Sequence, residues 1–145
     1  GGKWLYVSCN STGHVAKIPV RALLKRLRAD GNAENQFRVR IDREKDSDSL
    51  RIRDATVGLG ARTMRLSHDE RYLFVAVNLA SRVSVVDTRS MQSIASIPAD
   101  PYPVGLDITP DGKQLWLTSQ GREGMGGNSV GVYRIRRRKA SPAQP

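Results

Sequence analysis

The chain has 145 residues and a single cysteine, Cys9, so no internal disulfide can form. Its only histidines, His14 and His68, lie far apart and have no second cysteine to join them, which argues against a zinc site of the ordinary Cys/His kind. No apolar run approaches the roughly 18 residues of a membrane span. The start lacks the basic, apolar and small-residue order of a signal peptide, and lacks an initiator Met. It opens directly on Trp4-Leu5-Tyr6-Val7, which reads as a processed chain or a piece of a longer one. No Ser/His/Asp triad and no carboxylate pair at matched spacing is present. Acidic residues are scarce relative to basic ones, 14 against 24, leaving a net charge of +10. That balance favours anionic partners. Much of it is concentrated between Arg21 and Arg53 and in the run Arg134 to Lys139, where a solvated surface or flexible tail is the commoner role.

What is present is a repeat. Leu66-Ser67-His68-Asp69-Glu70-Arg71-Tyr72-Leu73-Phe74-Val75-Ala76-Val77-Asn78 is a strand, a polar turn and a second strand, followed by Val83-Ser84-Val85-Val86-Asp87 as a third. Ile108-Thr109-Pro110-Asp111-Gly112-Lys113-Gln114-Leu115-Trp116-Leu117-Thr118-Ser119 has the same layout 42 residues later. The strand from Trp4 to Cys9, its turn formers Asn10 to Gly13 and the strand from Val15 to Ile18 match the unit again. Asn10 and Asn78 are 68 apart, one period plus an insertion of about 26 residues. A fixed period of this size marks one supersecondary unit that stacks on its own copies. Cys9 falls in an alternating strand and reads as a small buried hydrophobe.

The insertion spans 19–49. Val20, Leu23, Leu24 and Leu27 recur at helical spacing, with Pro19 before them and Gly31 after, which predicts a short helix over 20–29. Phe37 to Ile41 could add a strand. Leu50-Arg51-Ile52-Arg53 then reads as an outer strand, with Gln92 to Ile97 as its counterpart. The glycine-rich loop from Gln120 to Asn128 leads into a strand rather than a helix, which argues against a phosphate cradle. Residues 136–145 read as a disordered basic tail.

Four short strands per unit is what a β-propeller blade requires. The expected class is all-β: four-stranded antiparallel blades in a partial ring over 1–135, about three of them with the outer ones incomplete, and one short inserted helix. The aromatics Trp4, Tyr6, Tyr72, Phe74 and Trp116 recur at equivalent positions and read as packing between blades.

Tyr6-Val7-Ser8-Cys9-Asn10, Phe74-Val75-Ala76-Val77-Asn78, Val83-Ser84-Val85-Val86-Asp87-Thr88 and Thr109-Pro110-Asp111-Gly112-Lys113 resemble the YVTN family of β-propeller repeats. The resemblance covers Gly2–Ile18 and Leu50–Ile135. It implies the C-terminal portion of a longer propeller and export to the periplasm or outside the cell. It also implies a strand order, with Arg62–Leu66 and Val104–Thr109 innermost. One end of the axis would then present Asn10, His14, Arg62, Asn78, Arg82, Tyr102, Gln120, Arg122 and Glu123 as a ligand face. Asp107 would be a channel carboxylate beside Arg62 of the neighbouring blade, where a salt bridge is the plainer role. The insertion would emerge at the opposite end.

The function this suggests is a non-catalytic binding or scaffold module with no catalytic residues, metal or cofactor. Its partners would be the remaining blades or another copy of the chain, and an anionic ligand or protein at the channel-end loops. The alternatives are a lactonase-like or cofactor-associated propeller enzyme, whose catalytic groups would lie partly in other blades, and polyanion or nucleic-acid binding through the basic surface.

Overall fold

A computed structural model describes residues 2–29, 48–124 and 126–136. The strands are β1 (Trp4–Cys9), β2 (His14–Pro19), β3 (Arg53–Thr56), β4 (Ala61–Leu66), β5 (Tyr72–Val77), β6 (Arg82–Asp87), β7 (Gln92–Pro98), β8 (Pro103–Ile108), β9 (Gln114–Ser119) and β10 (Ser129–Arg134). Helix α1 (Val20–Ala29) follows β2. The strands form three antiparallel sheets: β1-β2-β3, β4-β5-β6-β7 and β8-β9-β10. The middle sheet is a full blade. Among the described residues the first sheet has no innermost strand and the last has no outer one.

The Asp turns are the most repetitive feature, and they match atom for atom. In the β4–β5 turn Ser67 Oγ donates to Asp69 Oδ1 at 2.6 Å and accepts from the Tyr72 amide at 2.9 Å. In the β8–β9 turn Thr109 Oγ1 donates to Asp111 Oδ1 at 2.6 Å and accepts from the Gln114 amide at 3.0 Å. Each Asp also takes the amide two residues on, from Arg71 at 3.3 Å or Lys113 at 3.0 Å. Such local side-chain bonds substitute for ladder bonds where the chain reverses. The fourth turn position, counted from Ser67 or Thr109, is left-handed in both, φ 54° at Glu70 and 69° at Gly112. Only glycine takes that conformation without cost.

Packing explains the strand composition. β5 is apolar on both faces because it is buried on both. Leu73, Val75 and Val77 pack with Val86 and Met91 against Val15 and Ala55 of the first sheet and Val57 just after it. Phe74 and Ala76 pack with Val83 and Val85 against Leu106, Leu115 and Leu117 of the last. Each of the Val, Leu, Phe and Met side chains contributes about 1.5–3 kcal/mol when fully buried. In β9 the alternation is strict: Leu115, Leu117 and Ser119 are buried, while Gln114, Trp116 and Thr118 are exposed. Innermost strands β4 and β8 lie side by side, and β1 lies beside β4. Both innermost strands carry a register shift near the same end, between Ala61 and Met64 and between Pro103 and Gly105.

Two expectations are corrected here. The outer strand after the insertion does not begin at Leu50. Residues 48–50 form a helical turn, Leu50 is buried, and Arg51 has φ 51°, so extension starts only at Arg53. Nor do all the aromatics pack between blades. Phe74 is buried there, but Trp4 and Trp116 are exposed. The same repeat position is core or surface according to whether another sheet covers it. The expected strand at Phe37–Ile41 and, apart from Arg136, the expected tail 136–145 lie outside the described residues.

Candidate ligand face at one end of the sheets

Five loops meet at the end where β4 and β8 begin: 10–13, 57–60, 78–81, 99–102 and 120–128. Backbone hydrogen bonds knit their described residues into one run. The Val57 and Gly58 amides donate to the Gly13 carbonyl at 2.9 and 3.0 Å, and Gly60 donates to the Asn10 carbonyl at 2.9 Å. Asn78 donates to the Gly60 carbonyl at 2.8 Å, and Ala99 to that of Ser81 at 3.0 Å. Gln120 and Gly121 donate to the Tyr102 and Pro101 carbonyls at 3.1 and 3.0 Å. Gly13 permits the first junction, because a Cβ there would sit 2.7 Å from the Gly58 carbonyl carbon.

Side chains extend the run. The buried Asn78 amide donates from Nδ2 to the Pro103 carbonyl at 3.2 Å, tying the middle blade to the last. Arg82 donates from Nη2 to the Val57 carbonyl at 2.8 Å, while its buried Nε has no partner. Arg122 donates from Nη1 to the Tyr102 hydroxyl at 2.7 Å and lies 5.6 Å from that ring's centroid. Its Nε is also 3.7 Å from Glu123. His14 opens β2, half-buried, with a buried and unpartnered Nδ1. Asn10, Arg62, Gln120 and Arg122 are exposed.

Nine of the ten candidate residues, Glu123 among them, therefore fall at this end. Asn78 and Arg82 are spent largely on joining loops. The tenth, Asp107, lies near the far end of β8, exposed, and is not beside Arg62. It accepts from Arg65 Nε at 3.0 Å and from the Ile108 amide at 2.8 Å. Arg62 is three residues earlier on β4, about 10 Å along the strand. The Ile108 amide first, and then Arg65, hold the Asp107 carboxyl below its usual range. Sequence reasoning missed Arg65, although its 42-residue spacing from Asp107 marks the two as equivalent. It also missed Asp100, whose Oδ2 accepts from Ser129 Oγ at 2.6 Å and whose carbonyl accepts from Ser119 Oγ at 3.2 Å. Only proximity of the two loops reveals that role. Among the described residues no three His, Cys, Asp or Glu side chains come together as a metal site.

Residues 34–139 match the model of the YNCE-like beta-propeller family. The chain belongs to that family. This YNCE-like propeller chain is similar in fold to hydrazine synthase from Kuenenia stuttgartiensis, with a TM-score of 0.66 at 20% identity, over 93% of this chain and 32% of that one. A functionally unknown protein from Desulfotomaculum acetoxidans gives 0.62 at 11% identity, over 93% and 35%. A putative 6-phosphogluconolactonase from Bacteroides uniformis gives 0.56 at 18% identity, over 93% and 34%. At these identities the likeness shows the fold alone. The YNCE-like chain spans about a third of the length of each of these proteins. No curated protein matches it in sequence.

Proposed function

We propose that the chain is a non-catalytic binding or scaffold module, part of a larger propeller ring, that takes an anionic ligand or partner at its loop end. The observation that carries this reading is a convergence. Arg62 and Arg122 are exposed, and Arg82 holds an unpartnered buried Nε, at the end where five loops are joined by backbone hydrogen bonds. Loops held in place before binding lose little freedom when an anion arrives. The net charge of +10 adds long-range attraction. The one channel carboxylate singled out, Asp107, is occupied by Arg65 and lies away from these arginines, which supports binding over catalysis at this face.

Calorimetric titration with citrate and with inorganic phosphate tests the reading. Arg62→Ala combined with Arg122→Ala is expected to weaken citrate binding at least about tenfold, the loss of roughly one charge-assisted contact, with unchanged melting. Arg82 is left intact, because its bond to Val57 holds two loops together. Binding that survives the double substitution would place the ligand elsewhere. Turnover of a lactone by the wild-type chain would overturn the non-catalytic reading.

A further inference from the structure

Two leucines of the loop end stand in solvent, and both are anchored on one short segment. Leu59 is 57% and Leu79 59% exposed. Leu59 lies between Gly58 and Gly60, and each glycine seats a side chain that follows β5. A Cβ at Gly60 would fall 2.9 Å from Leu79 Cγ, and one at Gly58 would fall 2.8 Å from Arg82 Nη2. The segment is pinned from both sides: the Gly60 amide donates to the Asn10 carbonyl at 2.9 Å, and the Gly60 carbonyl accepts from the Asn78 amide at 2.8 Å. Arg62, exposed, follows two residues later. Stacking in the ring does not account for these leucines. A further blade packs on a sheet face, and both faces of the middle sheet are already covered. Nor does the repeat demand leucine. The position of Leu79 is Ser11 in the first blade and Gly121 in the last, and that of Leu59 is Pro101 one period on.

We infer that this patch docks an acidic protein segment that carries an apolar side chain, with Leu59 and Leu79 covered by the apolar group and Arg62 facing a carboxylate. The inference rests on the anion-binding reading and names its partner. Charge complementarity selects the occupant: cations flank the leucines on both sides, and the chain as a whole carries +10. A purely ionic ligand would leave the leucines in water, since they gain only by meeting another apolar surface. Small molecules are held in concave sites, whereas side chains that project by more than half their surface suit the packed centre of a protein contact. The pinned loops have little freedom left to lose when such a segment arrives.

Fluorescence anisotropy with labelled peptides of equal length tests it. One peptide is built of Glu, Leu and Ser; in a second Ser replaces every Leu; in a third Lys replaces every Glu. The wild-type chain is expected to bind the Glu-Leu peptide at least about tenfold more tightly than either control, the effect of burying about one leucine side chain. Leu79→Ser and, separately, Leu59→Ser should each remove most of that preference with unchanged melting, because both side chains are exposed. Equal binding of the leucine-free peptide, equal binding of the Lys-Leu peptide, or a preference that survives both substitutions would overturn the inference. Citrate titration of the wild-type chain keeps the two readings apart. Citrate bound with no preference for leucine would leave the anion site standing and remove this partner.

Discussion

Arg65 and Asp107 occupy the same position of the repeat in adjacent blades, and they bond to each other, Nε to Oδ1 at 3.0 Å. Neighbouring innermost strands are thus tied by one position facing its own equivalent. The pair is exposed, at 51 and 72% of the side chains, and exposed pairs are screened. A double-mutant cycle on Arg65→Ala and Asp107→Ala is expected to show small coupling at low salt and none at high salt. Coupling that persisted in high salt would mean the pair is shielded in a way this geometry does not provide.

The two Asp turns should respond alike. Thr109→Ala removes both the bond to Asp111 and the acceptor for the Gln114 amide, and Ser67→Ala does the same one period earlier. Each is expected to cost about 1 kcal/mol by urea unfolding. Gly112→Ala should cost about 1–2 kcal/mol, because φ is 69° there. Its new Cβ would also come within 3.1 Å of His68 Nδ1. A neutral Gly112→Ala would show that the turn relaxes.

Lys17 links the first two sheets. Its Nζ donates to the Thr88 carbonyl at 2.6 Å and lies 4.2 Å from the centroid of the Trp4 ring. Burial, and then the nearby charge of Arg53, lower its pKa. Lys17→Ala is expected to lower stability by about 1–3 kcal/mol, since the Thr88 carbonyl loses its cationic donor, and to change Trp4 emission. Unchanged melting would show that water replaces the ammonium without loss.

Acid should unfold the chain through its aspartates. Asp87 is held below the ordinary value of 3.8 mainly by the Ser90 amide, Asp107 by that of Ile108, and Asp111 by the Thr109 hydroxyl. A carboxylate with a depressed folded pKa stabilises the fold fully above its unfolded value and loses that contribution as pH falls through the folded one. Stability should therefore hold above pH 3.8 and fall below it. Asp87→Asn should lower stability at neutral pH and flatten the acid limb of a pH-melting series. An unchanged limb would assign acid unfolding to other groups.

The fold was legible because the repeat writes the same chemistry twice. Ser67-x-Asp69 and Thr109-x-Asp111 announce a reversal, and Val83-Ser84-Val85-Val86-Asp87 a strand. Less legible was whatever depends on a neighbour. Phe74 and Trp116 share a position, but only one has a sheet on top of it. The start of β3 was misplaced because Leu50-Arg51-Ile52-Arg53 alternates like a strand, although burial of Leu50 draws it into a helical turn. The loop residues of the candidate face were found from repeat position. That Asn78 joins blades and that Asp107 meets Arg65 depends on the stagger between sheets, which periodicity does not encode.

Amide chemical-shift mapping during citrate titration tests most directly whether anions bind at the loop end of the sheets. The predicted result is saturable shifts at Gly13, Gly58, Gly60, Ser81, Gln120 and Gly121, with Asp69 and Asp111 at the opposite end unmoved. Shifts centred on the Asp turns, or spread evenly over the basic surface, would contradict it.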